Sequence, residues 1–135
     1  WILALEGEAS LVCFYSDKLF GPYESHNNNP LKIDPSSARP AGPLLVDGDV
    51  LIRPSQDCSK EYGWRIGLQK IDLLNENTFK ESTVGYLEPC HSWDHNDGIH
   101  TISQVGGYLV FDAKKKTLNI KYVWHKFYKK FGVGR

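Results

Sequence analysis

Apolar and polar residues alternate with a period of two along most of this 135-residue chain, the spacing of half-buried strands rather than helices. Trp1 to Leu5 and Ser10 to Tyr15 read as two short strands joined by a turn at Glu6-Gly7-Glu8. Leu44 to Val46 and Val50 to Arg53 flank Asp47-Gly48-Asp49, a strong turn signal. In the next segment Trp64, Ile66, Leu68 and Lys70 alternate with Arg65, Gly67 and Gln69, ending in Ile71-Asp72-Leu73-Leu74. Phe79 to Leu87 is a further strand, entered through Asn75-Glu76-Asn77-Thr78. His100 to Gln104 and Tyr108 to Asp112 close on Val105-Gly106-Gly107, a Gly-Gly hairpin. Thr117 to Trp124 puts Leu118, Ile120 and Tyr122 on one face. Only Val123 to Phe131 suits a short terminal helical turn.

Short strands spaced by about ten residues predict an all-β sandwich, barrel or propeller. Hairpins recur near Leu5–Ser10, Val46–Val50 and Gln104–Tyr108, separated by about 40 to 60 residues, close to one propeller blade per repeat. The expectation is a partial propeller of short antiparallel strands. Two or three blades cannot close a ring, so their edges would need covering. The aromatics Trp64, Tyr86, Trp93 and Tyr108 are assigned mostly to the core, with Tyr62 set apart as a site residue.

Composition narrows the partners. Hydrophobic residues make up 41% and charged residues 24%, as in a globular chain able to bury a modest core. The formal net charge is zero, which argues against nucleic acid or an anionic membrane as the main partner. No apolar run approaches the roughly 20 residues of a membrane span, so direct membrane insertion is not expected. The lysines of Lys114-Lys115-Lys116, Lys121, Lys126, Lys129 and Lys130 alternate with aromatics and read as a docking strand or terminal helix. Cys13, Cys58 and Cys90 match no zinc spacing; free thiols are the expectation, with a Cys58–Cys90 disulfide as the alternative. Neither a metal nor a cofactor is expected. His91-Ser92-Trp93-Asp94-His95-Asn96-Asp97 is rich in ligand-type side chains, yet reads as a polar loop anchored by Trp93.

Candidate chemistry centres on an echo. Ser36-Ser37-Ala38-Arg39-Pro40-Ala41-Gly42-Pro43 is followed fourteen positions later by a second Arg-Pro step, in Arg53-Pro54-Ser55-Gln56-Asp57-Cys58-Ser59. Pro fixes its own φ and pushes its predecessor into extended conformation. Arg39 and Arg53 are therefore read as guanidinium forks at strand ends on a concave rim, suited to a polyol or an anion. The alternative is that both tie strand carbonyls together. Gln56 and Asp57 read as an amide–acid couple able to grip hydroxyls, or as an Asx turn toward Ser59. Among the carboxylates, Asp17 reads as solvated, while Asp57 and Glu88 are the candidates for a glycosidase pair, which needs two groups about 5 to 10 Å apart.

Ser16-Asp17-Lys18-Leu19-Phe20-Gly21-Pro22-Tyr23-Glu24-Ser25-His26, with Asn29-Pro30, resembles a segment of five-bladed β-propellers related to arabinanase- and invertase-type glycoside hydrolases. With Ala38-Arg39-Pro40-Ala41-Gly42, Tyr62-Gly63, Glu88-Pro89 and Gly98-Ile99-His100-Thr101, the series resembles the propeller domain of the glucosamine inositolphosphorylceramide transferase family and of bacterial formyltransferase-like proteins. The resemblance runs from about Phe14 to Asp112. It implies that residues 1–135 are one propeller-like domain, the C-terminal two to three blades of a longer protein. It also implies that His100 faces a central channel. The transferase activity of that family belongs to a separate domain, and hydrolase relatives draw one carboxylate from a first blade that this chain lacks.

Three readings follow. The first is a carbohydrate-recognition or accessory domain of a glycan-assembly or glycan-processing protein, binding a sugar-containing ligand through Arg39, Arg53, Gln56, Asp57, Tyr62 and His100. The second is a glycoside hydrolase-like enzyme using Asp57 and Glu88, so that any catalysis would be associated with glycoside hydrolysis or glycosyl transfer. The third is a structural piece whose partner is the remainder of its own polypeptide or a second chain.

Overall fold

Alternating side chains become a sheet wherever one face can be buried. The computed structural model describes residues 1–117, which form ten strands and no helix. They are β1 (Ile2–Glu6), β2 (Ser10–Tyr15), β3 (Glu24–Ser25), β4 (Lys32–Ile33), β5 (Leu45–Asp47), β6 (Val50–Asp57), β7 (Arg65–Leu74), β8 (Phe79–Leu87), β9 (Ile102–Val105) and β10 (Tyr108–Phe111). The expected strand to Trp124, Thr117 apart, and the turn at Val123 to Phe131 lie outside the described residues.

All strand pairings are antiparallel. β5-β6-β7-β8 form a four-stranded meander, β1 to β4 a second sheet, and β9-β10 a separate hairpin. No sheet closes on itself among the described residues. Gly48 opens the β5–β6 turn at φ 57°, a left-handed value that costs glycine little. In the second sheet, β3 and β4 both pair with β2, and the chain between them bulges away. Asn29 fills that gap: its Oδ1 accepts from the Cys13 N–H at 2.8 Å and its Nδ2 donates to the Cys13 carbonyl at 2.7 Å. One side-chain amide thus stands in for a missing peptide group.

β6 runs four residues past the predicted end at Arg53, straight through Pro54. The Pro54 carbonyl accepts from Ala41 N–H, so its missing N–H faces that same irregular edge and interrupts no bond to β7. Along this edge Gln56 N–H donates to the Arg39 carbonyl at 2.8 Å and Cys58 N–H to the Pro35 carbonyl at 3.1 Å. The first Arg-Pro segment is therefore laid alongside the second, with Pro40 bridged to Ser55.

The meander has two unlike faces. On one, Ile66 joins Ala41, Leu45, Ile99 and Ile102 in the buried cluster, with Ile52, Leu68, Leu87 and Trp93 packed around it. Each fully buried isoleucine is worth roughly 1.5–3 kcal/mol of transfer free energy. On the other face, cross-strand registers align Arg53 with Gln69, Ser55 with Gly67 and Asp57 with Arg65. Gln69 Nε2 donates to Ser55 Oγ at 3.0 Å and Thr83 Oγ1 to Gln69 Oε1 at 2.8 Å, a polar ladder across three strands that runs from buried Ser55 to exposed Thr83. Two aromatics assigned to the core are exposed instead: Tyr86 lies on edge strand β8 over the Arg65 guanidinium, and Tyr108 lies on the outer hairpin. The three cysteines are free.

Candidate functional site

Alternation along β6 sends Arg53, Ser55 and Asp57 to the polar face and Gln56 to the other. The expected amide–acid couple is therefore corrected: adjacent strand residues cannot close on one hydroxyl pair. Gln56 is buried. Asp57, 1% exposed, adopts the alternative reading, an Asx turn in which Oδ1 accepts from the Ser59 N–H at 3.0 Å and hydroxyl at 2.6 Å. Its Oδ2 accepts from Arg65 Nε at 2.8 Å.

Arg53 departs from its expected place at the rim. It is 1% exposed and grips Glu81 bidentately, with Nε to Oε2 at 2.8 Å and Nη2 to Oε1 at 2.6 Å. Nη2 also donates to the Ser37 carbonyl at 2.7 Å, while Nη1 is buried without a partner among the described residues. Lys32 from β4 reaches the same Glu81 at 2.6 Å and Ser37 Oγ at 2.8 Å. Ser37 in turn donates to Asp34. This network fastens the two four-stranded sheets together across their polar seam.

The two candidate carboxylates share one cation. Arg65 Nε holds Asp57 and Arg65 Nη1 holds Glu88 at 2.7 Å, with the guanidinium also over the rings of Trp64 and Tyr86. Burial pushes the Asp57 carboxyl upward, but the Ser59 hydroxyl and N–H and the Arg65 guanidinium outweigh it and hold the group below the ordinary carboxylate range. Both candidate carboxylates are thus tied to the protein through one arginine.

What remains converges elsewhere. The Arg39 guanidinium lies 5.5 Å from the centroid of the Tyr62 ring. Tyr62, 58% exposed, touches His100 Nε2 through its hydroxyl, the two rings standing 4.7 Å apart. Asp112 sits behind His100: Oδ1 accepts the His100 N–H at 2.9 Å and the Thr101 N–H at 2.6 Å, and Oδ2 lies 3.7 Å from Nδ1. Burial raises the Asp112 carboxyl and these backbone donors lower it further, leaving it below its usual value. Lys114 Nζ donates to the Tyr62 carbonyl at 2.7 Å, and Glu61 is held by Lys116 at 2.5 Å and Lys114 at 3.6 Å.

Glycine makes the corner possible. A Cβ on Gly98 would stand 2.0 Å from the Gly63 carbonyl oxygen, so the Tyr62-Gly63 loop lies directly on the segment leading to His100. A hollow of about 200 Å³, lined by Glu61, Trp64, Glu88, Pro89, His91, Asn96 and Asp97, opens beside it. A larger cleft of about 460 Å³ runs along Tyr15 to Lys18, Pro22, Glu24 and Glu76, but includes none of the predicted ligand residues. No group of three or more His, Cys, Asp or Glu among the described residues is disposed to hold a metal ion. Glu81, Arg65 and Asp112 were not singled out by sequence. Each reads as an ordinary polar position at strand spacing, and no local signal marks it.

Fold and corner together define an all-β antiparallel domain with one exposed cluster of unlike polar and aromatic groups. Residues 3–98 match the sequence model of the family described as glucosamine inositolphosphorylceramide transferase 1, N-terminal, and the chain belongs to that family. Proteins named glucosamine inositolphosphorylceramide transferase 1 from Oryza sativa subsp. japonica and subsp. indica are each 38% identical over 82 residues, 59% of this chain and 11% of theirs. The protein of that name from Arabidopsis thaliana is 32% identical over 78 residues, 56% of this chain and 10% of its own length. The chain therefore spans about a tenth of these curated relatives. No solved structure matches it significantly.

Proposed function

We propose that this chain is an accessory, sugar-recognising domain of a glycan-assembly protein, acting on a glycosylated lipid or its precursor. Family membership over residues 3–98 supports the glycan-assembly setting. The observation that carries the recognition role is the meeting of Arg39, Tyr62 and His100 from three separate segments at one accessible corner. A tyrosine ring gives a face for a pyranose, and the imidazole and guanidinium give directional donors for its oxygens. The meander β5-β6-β7-β8 is the strand order of a propeller blade, and we read the two four-stranded sheets as blades completed by further polypeptide.

The test is a glycan array together with a thermal-shift screen of sugars and sugar nucleotides, using the full-length polypeptide. Binding is expected, and His100→Ala or Tyr62→Ala should abolish it while Asp57→Asn leaves it. Silence across both screens overturns the reading. Release of reducing sugar that depends on Asp57 and Glu88 would instead favour the hydrolase reading.

A further inference from the structure

Arg39 differs from the other two arginines among the described residues in what its charge is doing. Arg53, Arg65, Lys32, Lys70, Lys114 and Lys116 each lie within 4.0 Å of a carboxylate. Arg39 does not: its one recorded side-chain partner among the described residues is the Tyr62 ring, while its backbone carbonyl is fixed by Gln56. A guanidinium has five N–H donors in a planar fork, and no described residue accepts from those of Arg39. Stacking on a tyrosine orients the fork without using a donor.

The neighbouring acids are already engaged. Glu61 is occupied by Lys114 and Lys116, and Asp112 Oδ1 receives two backbone N–H groups. Asp97 Oδ2 accepts the Lys116 N–H at 2.7 Å. The corner therefore presents a cation without a carboxylate partner among the described residues, beside the Tyr62 hydroxyl and the His100 ring.

We infer that this corner receives an oxyanion, a phosphate ester carried by the ligand, and that Arg39 supplies the bidentate contact. The inference rests on the corner being a ligand site, as proposed above, and adds the chemical class of the group bound there. A phosphate ester matches the spacing of a guanidinium fork and gains from charge assistance, whereas a neutral hydroxyl pair does not use the charge. Its source can be a soluble sugar phosphate or a phosphodiester headgroup in a bilayer.

The experiment is calorimetric titration of the full-length polypeptide with matched pairs, glucose against glucose 1-phosphate and myo-inositol against myo-inositol 1-phosphate. Flotation with phosphatidylcholine vesicles, with and without phosphatidylinositol, runs alongside. The phosphorylated probe should bind at least tenfold more tightly than its neutral parent. That margin should shrink as salt rises from 0.05 to 0.5 M, because an accessible ion pair is screened. Arg39→Ala should erase the margin, and Arg39→Lys should restore only part of it, since an ammonium lacks the fork. Retention only on phosphatidylinositol vesicles assigns the group to a lipid headgroup; equal binding of the soluble ester assigns it to a free sugar phosphate. Both support the inference.

Equal affinity for charged and neutral probes, unchanged in Arg39→Ala, overturns it while leaving sugar recognition intact. Binding of no probe at all overturns both readings. Each variant's thermal unfolding midpoint is recorded first. If Arg39→Ala fails to fold, the Arg39→Lys and Arg39→Gln pair decides the matter by the same ratio.

Discussion

Two Arg-Pro steps fourteen residues apart look interchangeable in sequence, and the fold gives them opposite tasks. Arg53 lies inside a central strand with carboxylate, lysine and carbonyl partners arranged around it, sealed between two sheets. Arg39 lies on the irregular segment alongside, its backbone spent on Gln56 and its guanidinium left over a tyrosine ring. The same dipeptide is a fastener in one place and an open hand in the other. What separates them is that Arg53 is part of β6 and Arg39 lies on the segment beside it, since the strand interior must satisfy every polar group it buries and the outer segment need not.

The sharpest way to break this comparison is Arg53→Ala. It leaves Glu81 buried with only Lys32 for company, and removing one partner of a buried pair costs about 3–5 kcal/mol. Urea unfolding should show that loss, or a chain that does not fold. The double change Arg53→Met with Glu81→Leu should be milder than the single, because the only charge then left without its partner is Lys32, which is partly exposed and keeps Ser37 Oγ. A single variant within about 1 kcal/mol of the parent, well short of that buried-pair cost, would show that the polar seam is not fastened at Arg53.

Next in size is Gly98→Ala. The added Cβ would meet the Gly63 carbonyl at 2.0 Å, backbone against backbone, so the Tyr62 loop must lift. The expected cost is about 3 kcal/mol, the upper end of overpacking, because no flexible side chain can yield. The Tyr62–His100 contact should go with it, seen as a change in the His100 ring resonances. An unperturbed His100 would separate the loop from the site.

These sites differ in how far they could be read beforehand. Strands β7 and β8 were legible because their alternation is long, and the β5–β6 and β9–β10 turns because Gly follows Asp or Gly there. The Arg53 to Asp57 run was not. Proline reads as a strand end, and only the placement of residues 35–41 along that edge shows that its missing N–H costs no ladder bond. Glu81 was invisible for a different reason. A lone acid in an alternating strand looks solvated until the opposite sheet delivers Lys32 and Ser37. The corner was half legible: Tyr62 and His100 stood out individually, but their meeting depends on two glycines thirty-five residues apart, Gly63 and Gly98.

Acid should act on the polar face more gently than either substitution. Asp57 and Asp34 are both held below the ordinary aspartate value of 3.8: burial opposes the ionised form in each, and hydroxyl and N–H donors from Ser59, or from Ser37 and Ser36, outweigh it. A depressed carboxylate contributes stability that is fully present above the unfolded value and is lost as pH falls through the folded one. Stability should therefore hold down to about pH 4 and decline below it. Asp57→Asn keeps the turn acceptor but loses the Arg65 charge, at about 1.5 kcal/mol near neutral pH, and its acid decline should be shallower. An equally steep decline in that variant would take Asp57 out of the account.

The smallest effect completes the comparison. Arg39→Ala removes a cation from one ring face and no hydrogen bond from any described residue, so its stability cost is set by an accessible cation–π contact, about 0.5–1 kcal/mol. The Arg39 carbonyl still accepts from Gln56, because that bond belongs to the backbone. Urea midpoints for Arg39→Ala and Arg53→Ala should thus differ several-fold in their displacement from the parent, although the two residues share a dipeptide and lie on adjacent segments. A cost at Arg39 as large as that at Arg53 would mean that its guanidinium is also fastening the fold, and the donors assigned to a ligand would already be in use.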